Sequence, residues 1–230
     1  MSTTKSASSH VSDVLIPSGD VELHGELKVP AGACGIVLFA HGSGSSRHSP
    51  RNKYVAEILQ ESVVGTLLFD LLSQEEEDEE RYTHHLRFDI SLLAKRLVDA
   101  TEWLKKKPEV GGLPIGYFGS STGAAAALVA AAELGGQVSV VVSRGGRPDL
   151  AGALLPEVKA STLLIVGGRD ELVIQLNWEA FRELRCEKRV VLVDRATHLF
   201  EEPGALEEVA RMAADWFKSH FEIKDQSVGS

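Results

Sequence analysis

Six short apolar runs constrain this chain more than any other feature: GIVLFAHG, VGTLLFDLL, IGYFGS, VSVVVSRGG, TLLIVGG and RVVLVDRATH. Each is apolar at consecutive rather than alternate positions, the pattern of a strand buried on both faces. Such strands need a layer above and a layer below. Helical spacing recurs between them, at Tyr54, Val55, Ile58 and Leu59, and again at Phe88, Leu92, Leu93, Leu97, Ala100 and Leu104. The second set predicts one long helix over HHLRFDISLLAKRLVDATEWLKKKP, with three lysines suiting the negative end of its dipole and Pro108 stopping it. Ahead of the first run, VLIPSGDVELHGELKVP alternates around SGD and reads as an antiparallel hairpin. The expectation is an α/β fold: a mostly parallel, twisted sheet with helices on both faces and an N-terminal hairpin. One domain is expected over residues 1–230, with tails over about 1–12 and 224–230. The short connection between VSVVVSRGG and TLLIVGG leaves no room for an inserted cap.

The run IGYFGS meets an alanine-rich helical segment at GSSTG, a G-x-S-x-G match centred on Ser121. Five letters match easily by chance, but a match at a strand-to-helix junction is what a nucleophile elbow requires. Glycines on both sides let backbone pass close without Cβ clashes. The competing reading is a plain turn with Ser or Thr as a helix cap. A serine hydroxyl needs a base, and the base needs an orienting acid. Asp170 lies just past the strand in TLLIVGGRD, and His198 just past the strand in RVVLVDRATH. Taken singly, Asp170 reads equally as a helix cap and His198 as a loop residue. In the order Ser, Asp, His, each after a strand, they read as a catalytic triad. The amide of Thr122 and that of Ser43, in FAHGSGSS, are the expected oxyanion donors.

With HGSGSS, GSSTG, GGRD and RATH in place, the chain resembles the α/β-hydrolase superfamily over nearly its whole length. Within it, the capless form looks most like the dienelactone hydrolase family. That resemblance implies acyl chemistry on an ester or lactone, with Ser121 as nucleophile, Asp170 as acid and His198 as base. True dienelactone hydrolases carry a cysteine in the elbow where this chain has Ser121, while proteins described only as dienelactone-hydrolase-like commonly have serine there. A non-catalytic ligand-binding protein on the same fold, and an acyltransferase or perhydrolase with the same triad, are the alternatives.

Charge narrows the partners. A formal net charge of -9 with no basic stripe disfavours nucleic acid and anionic membranes. The expected partner is a small-molecule ester or lactone, and a homo-oligomer stays open. Arg144 and Arg147 follow a strand at the site end of the sheet, where they would bind an anionic substrate or pair with Asp149 or the acidic run. Arg47 invites the same suggestion. The acidic run SQEEEDEE reads as a solvated stretch or a lid carrying His84, His85 and Arg87. Two adjacent histidines match no metal motif, so neither metal nor cofactor is expected. Cys34 and Cys186 read as free thiols, and a polar amino end without an apolar core gives a cytoplasmic expectation.

Overall fold

A computed structural model describes residues 11–225. Eight strands form one sheet in the order β1-β2-β4-β3-β5-β6-β7-β8. The hairpin is β1 (Val11–Ser18) and β2 (Val21–Lys28), paired antiparallel, and β2 runs antiparallel to β4 (Gly65–Phe69). From β4 onward every pairing is parallel, through β3 (Ile36–Ala40), β5 (Ile115–Ser120), β6 (Val138–Arg144), β7 (Ser161–Gly167) and β8 (Lys188–Val193). The tails expected over 1–12 and 224–230 lie outside the described residues, except that Val11 and Ser12 open β1 and residues 224–225 end a helix.

The consecutive apolar runs are buried on both faces as their composition demands: every residue of β3, β4 and β5 is buried. On one face pack α1 (Pro50–Glu61) and α6 (Ala205–Asp225), and Val140, Val142, Phe217 and Phe221 share their core. On the other pack α3 (Ile90–Leu104), α4 (Thr122–Leu134) and α5 (Glu171–Glu183), around Tyr117, Val141 and Leu164. In α4, residues Ala124 to Ala127 are fully buried, and small side chains let that helix ride close to the sheet. Aromatic bulk fills the opposite side, with Phe217 and Phe221 stacked at 5.7 Å over β3 and β5. Truncating Phe217 to alanine would cost about 3–5 kcal/mol through lost burial and the cavity left behind.

The strand order turns back between β3 and β5, since β4 lies outside β3 while β5 begins the opposite half. An open α/β sheet builds its sites at the carboxyl ends of strands flanking such a switch point. There the loop after β3 and the turn after β5 lie side by side.

Two expectations need correcting. The long helix expected from His84 starts at Ile90, because Asp89 caps it by accepting from the Leu92 amide at 2.9 Å; Leu86–Phe88 is a separate 3-10 turn. The helix ends at Leu104, so the three lysines lie past its last turn. The acidic run folds as helix α2 (Gln74–Thr83). Its Ser73 and Glu76 make a reciprocal capping box, and Glu80 is buried rather than solvated.

Candidate active site

β5 ends at Ser120 and α4 starts at Thr122, leaving Ser121 alone to make the turn. Its φ of 51° and ψ of -123° fall where a side chain costs about 1–3 kcal/mol of strain. Three backbone hydrogen bonds offset that cost. Ser121 N–H donates to the Arg144 carbonyl at 3.3 Å, and its own carbonyl accepts from Ala124 at 3.1 Å and Arg147 at 3.0 Å. The flanking glycines are steric necessities. A Cβ on Gly119 would stand 2.4 Å from Ala124 Cα, and one on Gly123 would stand 2.2 Å from the Ala40 carbonyl oxygen. The turn is therefore clamped between β3 and its own helix.

The Ser121 side chain caps nothing at the α4 N-terminus, so its hydroxyl is not spent there. Asp170 likewise makes no side-chain cap on α5. Its Oδ2 instead accepts from His198 Nδ1 at 2.7 Å. A carboxylate oxygen accepts, so Nδ1 is the donor in this contact, and in the neutral imidazole the lone pair then falls on Nε2. The loops after β7 and β8 are stapled to deliver this pair: Gly168 N–H donates to the Val193 carbonyl at 2.8 Å and Arg169 N–H to that of Ala196 at 2.9 Å. Beyond the histidine, Phe200 takes a φ of 56° with its ring buried, which anchors the loop.

The imidazole edge lies beside the elbow. His198 Cε1 is 3.6 Å from where a Cβ on Gly145 would sit, one residue past the carbonyl that holds the Ser121 amide. Among the described residues His198 Nε2 has no hydrogen-bond partner, Ser121 Oγ included. In apo sites such bonds are often long and shorten in the substrate complex.

The Thr122 amide is one of the four N–H groups that a helix start leaves without an intrahelical partner. Ser43 lies on an exposed loop, and its N–H donates to Thr122 Oγ1 at 3.1 Å. The loop is held from below by His41, which sequence reasoning passed over although it opens the HGSGSS stretch. His41 Nε2 accepts from the Leu71 amide at 3.0 Å, so Nδ1 carries the proton and donates to the Gly42 carbonyl at 3.0 Å. Burial first lowers the pKa of this imidazole, against the Gly42 contact and the Asp70 charge that raise it.

The arginines divide sharply. Arg147 forms a two-pronged pair with Asp149, Nε to Oδ1 at 2.9 Å and Nη2 to Oδ2 at 2.8 Å, so its side chain is not free for a substrate; its backbone N–H serves the elbow instead. Arg47 is tied to Asp70, and Arg87 to Glu80 at 2.7 Å. Arg144 is buried, and its Nε and Nη1 have no hydrogen-bond partner among the described residues. His84 and His85 are exposed, His84 as the left-handed cap of α2, and no cluster of metal-binding side chains occurs among the described residues. No helix there is long and apolar enough to cross a membrane.

The sequence profile of the dienelactone hydrolase family matches residues 55–224. The chain is 59% identical to a dienelactone hydrolase from Anabaena variabilis whose crystal structure superposes with a TM-score of 0.91, covering 92% of this chain and 98% of that one. Est1E from Butyrivibrio proteoclasticus has the same fold at 14% identity and a TM-score of 0.76, covering 91% of this chain and 99% of that one. Two curated relatives, from two strains of Mycobacterium tuberculosis, are 56% identical over 90% of this chain and carry the provisional name of phosphoribosyl transferases. The chain spans about half of their length, 46%.

Proposed function

The chain belongs to the dienelactone hydrolase family, and on that footing we propose that it is a serine hydrolase cleaving a carboxylic ester or lactone through an acyl-enzyme on Ser121. The observation that carries this reading is the 2.7 Å contact between His198 Nδ1 and Asp170 Oδ2, which leaves Nε2 basic beside an elbow serine whose hydroxyl caps nothing. His198 Nε2 takes the Ser121 proton as Oγ bonds the carbonyl carbon. The developing oxyanion is held by the Thr122 amide and by the Ser43 amide, with the oxyanion replacing Thr122 Oγ1 as the acceptor of the Ser43 N–H. Each such donor supplies about 10²–10³ in rate. The imidazolium returns the proton to the leaving alkoxide as the ester bond breaks. Water, deprotonated by the same nitrogen, then releases the acid. Asp170 keeps the imidazole in the tautomer both steps need.

The partner is a small-molecule ester or lactone. Of the two arginines that suggested an anionic substrate, Arg144 keeps that role and Arg147 loses it to Asp149. Acyl transfer to an alcohol or peroxide uses the same residues and differs only in the acceptor. Phosphoribosyl transfer, which the curated relatives' name suggests, has no need of an imidazole–carboxylate pair beside an elbow serine. A burst assay with p-nitrophenyl acetate, followed by a panel of esters, lactones and thioesters, tests the proposal. An initial burst and ester turnover are expected. Neither burst nor turnover on any of them, with phosphoribosyl transfer detected, would overturn it.

A further inference from the structure

β6 ends on Arg144, paired in register with Ser120 of β5, and both side chains project toward the face covered by α1. Ser120 Oγ donates to Asn52 Oδ1 at 3.2 Å, and the neighbour of Asn52 on α1 is Arg51. Arg144 is only 8% exposed. Its Nε and Nη1 are enclosed and make no hydrogen bond. Nor does a carboxylate compensate the charge. The group whose charge acts on Arg144 is Arg51, another cation. Arg51 Nε is also enclosed without a partner, while its Nη1 reaches Glu201 at 3.2 Å, a carboxylate 65% exposed. Burial, and secondarily Arg51, pull the Arg144 guanidinium down to about 10, still charged at neutral pH.

Elsewhere in the site this chain gives its arginines acids: Asp149, Asp70 and Glu80. A buried ion left alone is unfavourable, and replacing it with an apolar residue of like volume is commonly stabilising. We propose that Arg144 and Arg51 form a subsite for one oxyanionic group, a carboxylate or a phosphate, on the α1 side of the elbow. With Glu201 neutralising one guanidinium, a single negative charge balances the other. The planar fork of donors matches two oxygens of either group. The Arg144 backbone carbonyl holds the Ser121 amide, so the side chain that forms the subsite is rooted beside the nucleophile. Resting on the hydrolase reading, the consequence is that the acidic group belongs to the ester and sits near its scissile carbonyl.

The test uses the intact native chain and inorganic phosphate or acetate, with chloride at matched ionic strength as control. Phosphate or acetate at about ten times its dissociation constant is expected to raise the melting temperature by a few degrees beyond chloride. Arg144→Met is expected to melt higher than native in anion-poor buffer and to lose the response; Arg51→Gln is expected to weaken it. A native response no larger than that to chloride, or an Arg144→Met protein that melts lower and still responds, overturns the subsite. For esters with and without a carboxylate on the acyl chain, Arg144→Met is expected to cut the ratio of their kcat/KM about tenfold or more. Anion binding with that ratio unchanged keeps the subsite for a free anion and overturns its role in substrate choice. Failure of a fluorophosphonate to label native protein that still binds phosphate sinks the hydrolase reading alone.

Discussion

The elbow after β5 and the acidic helix α2 both border the loop after β3, and they are held in opposite ways. The elbow is fixed by backbone against backbone: Gly123 under the Ala40 carbonyl, Gly119 under Ala124. It has no slack and no side-chain charge. Helix α2 is fixed by charge. Glu76 closes the capping box and takes Arg96 Nη2 at 2.6 Å. Glu80, 1% exposed, accepts from the amides of Leu86 at 2.8 Å and Arg87 at 3.3 Å and from Arg87 Nε at 2.7 Å. Arg87 Nη1 then lies 3.6 Å from where a Cβ on Gly44 would be. The contacts that fix the elbow thus carry no titratable group, whereas those that fix α2 depend on charged ones.

Substitutions can break or sharpen this contrast. The largest effect is expected on the elbow side. His198→Ala should lower kcat by about 10⁴-fold or more with the melting temperature nearly unchanged, because the residue orients and moves a proton without filling the core. A loss under tenfold would deny His198 its part. Next is Gly123→Ala, whose new methyl has no flexible neighbour to push aside. It should destabilise by about 1–3 kcal/mol and cut kcat/KM about 10²-fold through displacement of the serine. A protein with native melting and native rate would show that the turn has room.

On the acidic side the effects are smaller and depend on pH. Glu80→Gln should destabilise by about 1–3 kcal/mol by weakening bonds to a charged acceptor, without touching the elbow chemistry. Burial alone would raise the Glu80 pKa, but the Leu86 amide, the Arg87 guanidinium and the Arg87 amide together hold it at about 2, against an ordinary value of 4.5. Its folded pKa is depressed, so its stabilisation is fully present above about pH 4.5 and is lost as pH falls through about 2. Thermal melts of native and Glu80→Gln proteins should therefore converge over that window. A gap constant with pH would mean that the carboxylate is not the latch. Smallest of all, Thr122→Val should cost about 0.5–1.5 kcal/mol by removing the acceptor of the Ser43 amide on an exposed loop.

What could be read from the sequence follows the same divide. The elbow was legible because its requirements are covalent and local: two glycines, one hydroxyl, a strand before and a helix after. Asp170 and His198 were legible because strand ends are easy to place, although their 2.7 Å contact depends on staples between two loops that no spacing reveals. In the acidic run composition hid the helix: its exposed residues are solvated as expected, but its start is set by position. Ser73 and Glu76 stand at capping-box spacing, a signal that was present and unused. That Glu80 alone among the acidic residues of α2 would be buried depends on the 3-10 turn folding back onto it. Arg147 and Arg144 looked alike in sequence. One had Asp149 two residues away and took it, and the other was drawn under α1 with Arg51 for company.

The account turns on whether the Ser121 oxygen is made nucleophilic by the His198–Asp170 pair. Fluorophosphonate labelling of the native chain, with the modified residue located by peptide mass spectrometry, asks this directly. We expect a single adduct on Ser121, lost in His198→Ala. No adduct, or equal labelling of a Ser121→Ala protein, would contradict it.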